Sequence, residues 1–116
     1  MAGRYGEQRR FPRIRTVNPV HVKRLSEKAL EACGRTEQLG LGGCMFVNRE
    51  PLGAGSTVDL VIGVEGGAIN AQGKVVYERP RRSRDFEIGV EFLAISAKDR
   101  ARLEKLFDGV EAIIPP

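Results

Sequence analysis

Apolar and polar residues alternate along most of this chain, and a period of two is the mark of half-buried strands. Val20 and Val22 alternate with His21 and Lys23, which predicts a first strand over about residues 17–25. Pro19 places the start of that strand, or a sheet edge, at its position. Residues 26–33 also suit a short helix through Leu25, Ala29, Leu30 and Ala32, but Gly34 and the hairpin signal after it favour a strand. The run from Leu39 to Gly43 is dense in glycine and reads as a turn, and Cys44 to Val47 reads as a buried strand. Val58, Leu60, Ile62 and Val64 form a clean alternation, which Glu65-Gly66-Gly67 links as a tight hairpin to a strand over 69–78. The clearest alternation is Phe86, Ile88, Val90 and Phe92 against Glu87, Gly89 and Glu91.

The period then changes. Ser96 and Asp99 form a capping box, and Ala101, Leu103, Leu106 and Phe107 supply the apolar face of a helix over about 97–107, with Gly109 as its stop. About six strands with short connections, followed by one helix, define an all-β chain with a terminal helix. The architecture expected is a six-stranded antiparallel β-barrel, because closure removes the exposed sheet edges. The expected organisation is an arginine-rich flexible arm over 1–16, the barrel with its helix over 17–108, and a tail over 109–116. No internal repeat is present.

Composition narrows the function. A chain of 116 residues with 41% hydrophobic and 29% charged residues is that of an ordinary globular domain. No apolar run approaches the roughly 20 residues of a membrane helix, and the first residues carry no apolar signal region, so a cytoplasmic location is expected. His21 is the sole histidine, so neither a metal cluster nor a histidine-based triad can be assembled, and no catalytic residue and no metal site are expected. Cys33 and Cys44 read as two reduced, buried, small side chains. A hairpin centred near Gln38-Leu39 would set them opposite each other.

The charge is uneven. The net value is +4. Arg4, Arg9, Arg10, Arg13 and Arg15 crowd the first fifteen residues against the single acid Glu7, and Arg79, Arg81, Arg82 and Arg84 form a second knot. Guanidinium groups pair bidentately with phosphates and guanine edges, which points to an anionic partner, against the plainer alternative of solvated basic segments. Nonspecific nucleic-acid binding is a weak alternative, because five Phe, two Tyr and no Trp make a poor stacking surface.

Two motifs stand near each other in such a barrel. Arg9-Arg10-Phe11-Pro12-Arg13 has the spacing R-x-x-x-R just before the first strand, and Gln38-Leu39-Gly40-Leu41-Gly42-Gly43 lies between the second and third. With these, and with the runs LGGCMF and EIGVEFLAIS, the sequence resembles the PilZ domain family of bacterial cyclic di-GMP receptors, over roughly Gln8 to Phe107. That resemblance implies the same six-stranded barrel with a C-terminal helix, and no enzymatic activity. It implies cyclic di-GMP as ligand rather than a cofactor, held by Arg9, Arg10, Arg13, Gln38, Gly40 and Gly43. It also implies a signal passed to a protein partner, with a homodimer left open and no membrane insertion. The arginine motif is intact. The second motif, [D/N]-x-S-x-x-G in the family, keeps only Gly43: Gln38 replaces the acid or amide, and Gly40 replaces the serine. Losing an acid and a hydroxyl predicts binding weaker by roughly ten- to a thousandfold. The glycines are equally suited to a tight turn that holds no ligand.

Overall fold

The computed structural model describes residues 13–25 and 30–108. In chain order these form strands β1 (Arg13–Arg15), β2 (Pro19–Arg24), β3 (Glu31–Gly40), β4 (Gly43–Asn48), β5 (Thr57–Val64), β6 (Gly67–Pro80) and β7 (Phe86–Ile95), and then helix α1 (Ala97–Asp108). All pairings are antiparallel, and the order β3-β2-β5-β6-β7-β4 returns to β3, so six strands close a barrel. The seventh, β1, lies outside the ring and, among the described residues, pairs with β3 alone.

The predicted alternation fills the interior. Val22, Phe46, Val58, Ile62, Ile69, Val75 and Ile88 are fully buried, while Asp59, Val61, Asn70 and Gln72 point outward from the same strands. Phe86 and Phe92 are partly buried against this core. Burying each large side chain stabilises the fold by about 1.5–3 kcal/mol, and this is what holds the ring closed. The β5–β6 hairpin turns on Glu65 and Gly66, where Gly66 adopts a φ of 81° that favours glycine. The helix starts as the capping box requires: the Asp99 backbone N–H donates to Ser96 Oγ at 3.1 Å. It docks through the fully buried Leu103 and through Arg102, whose Nη1 donates to the Ala68 carbonyl at 3.0 Å on β6.

Four local readings are corrected. Arg13–Arg15, within the segment read as an arm, form a strand, because Ile14 is buried and β3 offers a free edge beyond its pairing with β2. The glycine-rich run is not all turn: β3 continues through Leu39 and Gly40, and only Leu41 and Gly42 connect it to β4. β6 likewise runs on through Arg79 and Pro80, so the basic loop begins at Arg81. Because the β3–β4 turn is centred on Leu41-Gly42, Cys44 faces Leu39, while Cys33 faces His21 on β2. Both thiols are free; Cys33 is exposed and only Cys44 is buried. His21 faces outward as expected, 3.9 Å from the Glu31 carboxylate.

Candidate functional site

The site is built where β1 meets the end of β3. Strand β3 has two partners along one edge. Residues 31–35 pair with β2, and residues 38–40 pair with β1 in the register Arg13↔Gly40, Ile14↔Leu39, Arg15↔Gln38. The chain crosses from β1 to β2 through Thr16-Val17-Asn18, and a hydrogen-bonded knot fixes that crossing. Thr36, the buried polar residue of β3, donates from Oγ1 to the Thr16 carbonyl at 2.8 Å and accepts from the Asn18 N–H at 3.0 Å. Thr16 Oγ1 donates to Asn18 Oδ1 at 2.6 Å, and Asn18 Nδ2 donates to the Gly63 carbonyl at 2.8 Å on β5. A buried hydroxyl with both roles used specifies one geometry. The knot therefore sets the register that lays the end of the arm beside Gln38 and Gly40.

Across the barrel seam, Gly43 lets β4 approach β7. A Cβ at Gly43 would stand 2.1 Å from the Val90 carbonyl oxygen, so no other residue fits without moving the strand. The Phe92 N–H donates to the Gly42 carbonyl at 2.8 Å and closes the turn onto β7.

Two β-bulges open the surface here. Thr36 faces Phe46 and Gln38 faces Met45, so Glu37 is an extra residue in β3. Val75 faces Val90 and Tyr77 faces Gly89, so Val76 is an extra residue in β6. A bulge bends its strand and re-aims the next side chain. Glu37 is turned outward to Arg81, 3.1 Å away, and this contact raises the Arg81 pKa further. The Tyr77 ring is laid against Gly89, where a Cβ would fall 2.0 Å from Cε2, and the Arg79 guanidinium sits over the ring at 4.7 Å from its centroid. Such a cation–π stack leaves a planar cation at the surface.

The result is an open cleft at the surface. Gln38, Gly40, Gly42 and Gly43 line one side, Val76, Tyr77, Gly89 and Val90 the other, and Cys44 and Met45 lie between them. Three of the residues proposed from sequence, Gln38, Gly40 and Gly43, come together in it. Arg13 is placed by its backbone directly opposite Gly40. Arg9 and Arg10 lie outside the described residues. Sequence reasoning missed Tyr77 and Gly89; the signal was present in Val75-Val76-Tyr77, where three apolar positions in a row break the period of two and mark the bulge.

The architecture is thus a closed six-stranded antiparallel barrel with an added N-terminal strand, a C-terminal helix and a cleft at the β3–β4 turn. The family model of the PilZ domain matches residues 7–109, and the chain belongs to the PilZ domain family. Solved structures agree in fold. YcgR of Escherichia coli in complex with c-di-GMP superposes with a TM-score of 0.68 at 18% identity, covering 88% of this chain and 45% of that one. The inhibitor of motility MotI of Bacillus subtilis gives 0.65 at 17%, covering 85% and 51%. The PilZ domain of CeSA from a cellulose-synthesising bacterium gives 0.62 at 18%, covering 85% and 97%. The chain thus spans about half the length of MotI and YcgR, and nearly all of the isolated CeSA domain. No curated protein matches it at a significant level. Among the described residues, no helix is long and apolar enough to cross a membrane, and no group of three or more potential metal ligands occurs.

Proposed function

We propose that this chain is a cytoplasmic receptor for cyclic di-GMP that passes the level of the messenger to a protein partner. The observation that carries this reading is the β1–β3 register, which sets the last arginine of the R-x-x-x-R motif opposite Gly40, a residue that lines the cleft. Arg9 and Arg13 supply guanidinium groups for the phosphates and guanine edges, with Arg10 as a further contact. Gln38 contributes a base-edge amide, and Gly40 and Gly43 allow close backbone approach. Support also comes from YcgR, which is seen with c-di-GMP on the same fold. Ligand contact with the arm shifts its position, and this is the change a partner reads. Isothermal titration of the purified chain with cyclic di-GMP tests the reading. Binding that is lost in Arg9→Ala and in Arg13→Ala supports it, and no heat at high micromolar concentrations sinks it.

A second reading rests on Gln38 and Gly40, which lack the acid and the hydroxyl of the family motif. In it the barrel docks a partner without the nucleotide. A partner recovered equally with and without cyclic di-GMP favours this reading. It further requires the double change Gln38→Asp and Gly40→Ser to create binding that the natural chain lacks.

A further inference from the structure

The arginines at the end of β6 and in the loop after it are not equivalent. Arg81 is spent inside the molecule: its Nη1 meets the Glu37 carboxylate at 3.1 Å and its Nε lies 4.0 Å from Asp85 Oδ1. Arg82 and Arg84 sit on the exposed turn that follows. Arg79 is the one the fold brings to the cleft. Its guanidinium lies over the Tyr77 ring, 4.7 Å from the centroid, and Tyr77 lines the cleft.

The registers explain that position. Gln38↔Met45, Met45↔Gly89 and Gly89↔Tyr77 form one row across the outer surface from β3 to β6. Paired residues share a face of the sheet, and all four line the cleft. The Val76 bulge turns Tyr77 toward Gly89, and the missing Cβ there makes room for the ring. The ring in turn supports the guanidinium, whose N–H groups point from its edges and stay open to a partner. Among the described residues Arg79 forms no ion pair, not even with Glu87, its register partner. No charged side chain lines the cleft itself. The arginines of the R-x-x-x-R motif approach from the β1 side, and Arg79 supplies a cation on the β6 side. A planar guanidinium already held on a ring loses little freedom on pairing, and its fork matches two phosphate oxygens.

We propose that Arg79, stacked over Tyr77 at the rim of the cleft, is a further ligand contact that pairs with a phosphate of the bound dinucleotide. The inference rests on the receptor reading above and adds to that same site a residue outside both sequence motifs. The experiment is titration of the full chain with cyclic di-GMP at low and high salt, for the natural sequence, Arg79→Ala, Arg79→Lys and Arg82→Ala. Urea denaturation of each variant checks that it is folded. Arg79→Ala is expected to weaken binding about tenfold at low salt, and by a smaller factor at high salt, where the charge pair is screened. Arg79→Lys keeps the charge but loses the fork, and is expected to fall between the two. Arg82→Ala removes the same net charge from outside the cleft, and is expected to stay within about twofold of the natural chain. The proposal is overturned by a loss below about threefold in Arg79→Ala. It is overturned equally by a matching loss in Arg82→Ala, which would mark a general effect of net charge. A loss that salt does not change would also overturn it, since Arg79 would then only steady the Tyr77 ring. In each of these cases the receptor reading stands. If the natural chain does not bind cyclic di-GMP, the receptor reading falls and the inference with it.

Discussion

The two walls of the barrel are made by different rules. On the β2–β5–β6 side each register runs without a slip: Val20↔Ile62 through Arg24↔Val58, then Thr57↔Lys74 through Val64↔Gly67. Inward and outward residues alternate there, and the hydrophobic pattern alone decides the pairing. The other side holds every register shift recorded in the sheet: one in β3–β4 and two in β6–β7. It also holds Gly43 and Gly89, where a Cβ would strike backbone or ring. The cleft lies on this second side. Regular pairing buys stability, and the departures from it aim Gln38 and Tyr77.

That contrast breaks first under core truncation. Leu60→Ala, in the regular wall, should cost about 2–5 kcal/mol in urea denaturation, because Leu60 is buried and its neighbours are held by unbroken ladders on both sides. A loss below 1 kcal/mol would mean that the regular wall is not the stabilising one. Thr36→Val should cost about 1–3 kcal/mol, since it strands the Asn18 N–H and the Thr16 carbonyl. Thr36→Ser, which keeps the hydroxyl, should recover most of that stability. If valine and serine behave alike, the knot does not set the arm.

Gly89→Ala tests the irregular wall. Its methyl group displaces the Tyr77 ring, which can swing outward, so the stability change should be only about 1 kcal/mol, the low end of the overpacking range. The Tyr77 fluorescence should change, and affinity for cyclic di-GMP should fall. Unchanged fluorescence would show that the ring does not rest where the bulge aims it. The smallest effect on stability is at the thiols. At pH 8 Cys33 should react quickly with a thiol reagent while Cys44 reacts only as the protein unfolds, because burial pushes the Cys44 pKa up to about 12. An unfolded thiol ionises near pH 8.5. Above that pH the unfolded chain binds fewer protons than the folded one. The Cys44 contribution is therefore fully present below about pH 8.5 and falls as the pH rises toward 12. Replacing Cys44 with Ala should flatten that alkaline decline.

The same contrast explains what the sequence made legible. Val58, Leu60 and Ile62 on β5, Ile88 and Val90 on β7, and the Ser96 cap are set by local pattern, so they could be read residue by residue. The closed barrel followed from their number and spacing, and the family from motifs at its seam. β1 was not legible, because three residues flanked by arginine carry no period and their partner lies about 25 positions away. Nor was the extension of β3 through Gly40, since glycine weakens a strand locally and only the β1 and β4 ladders hold it there. The Tyr77–Arg79 stack depends on a one-residue slip at Val76, which is a property of two strands together.

Because the ring of six strands is already complete, β1 can detach without breaking it. The backbone amides of Arg13–Arg15 should therefore exchange with solvent through a local opening, of lower free energy than the global unfolding that governs Val22 or Leu60. The molecule then has two cooperative units of unequal stability. In the receptor proposed above, a ligand that grips the arm would act on the weaker one, and what it would change is the lifetime of that small unit while the barrel stays folded throughout.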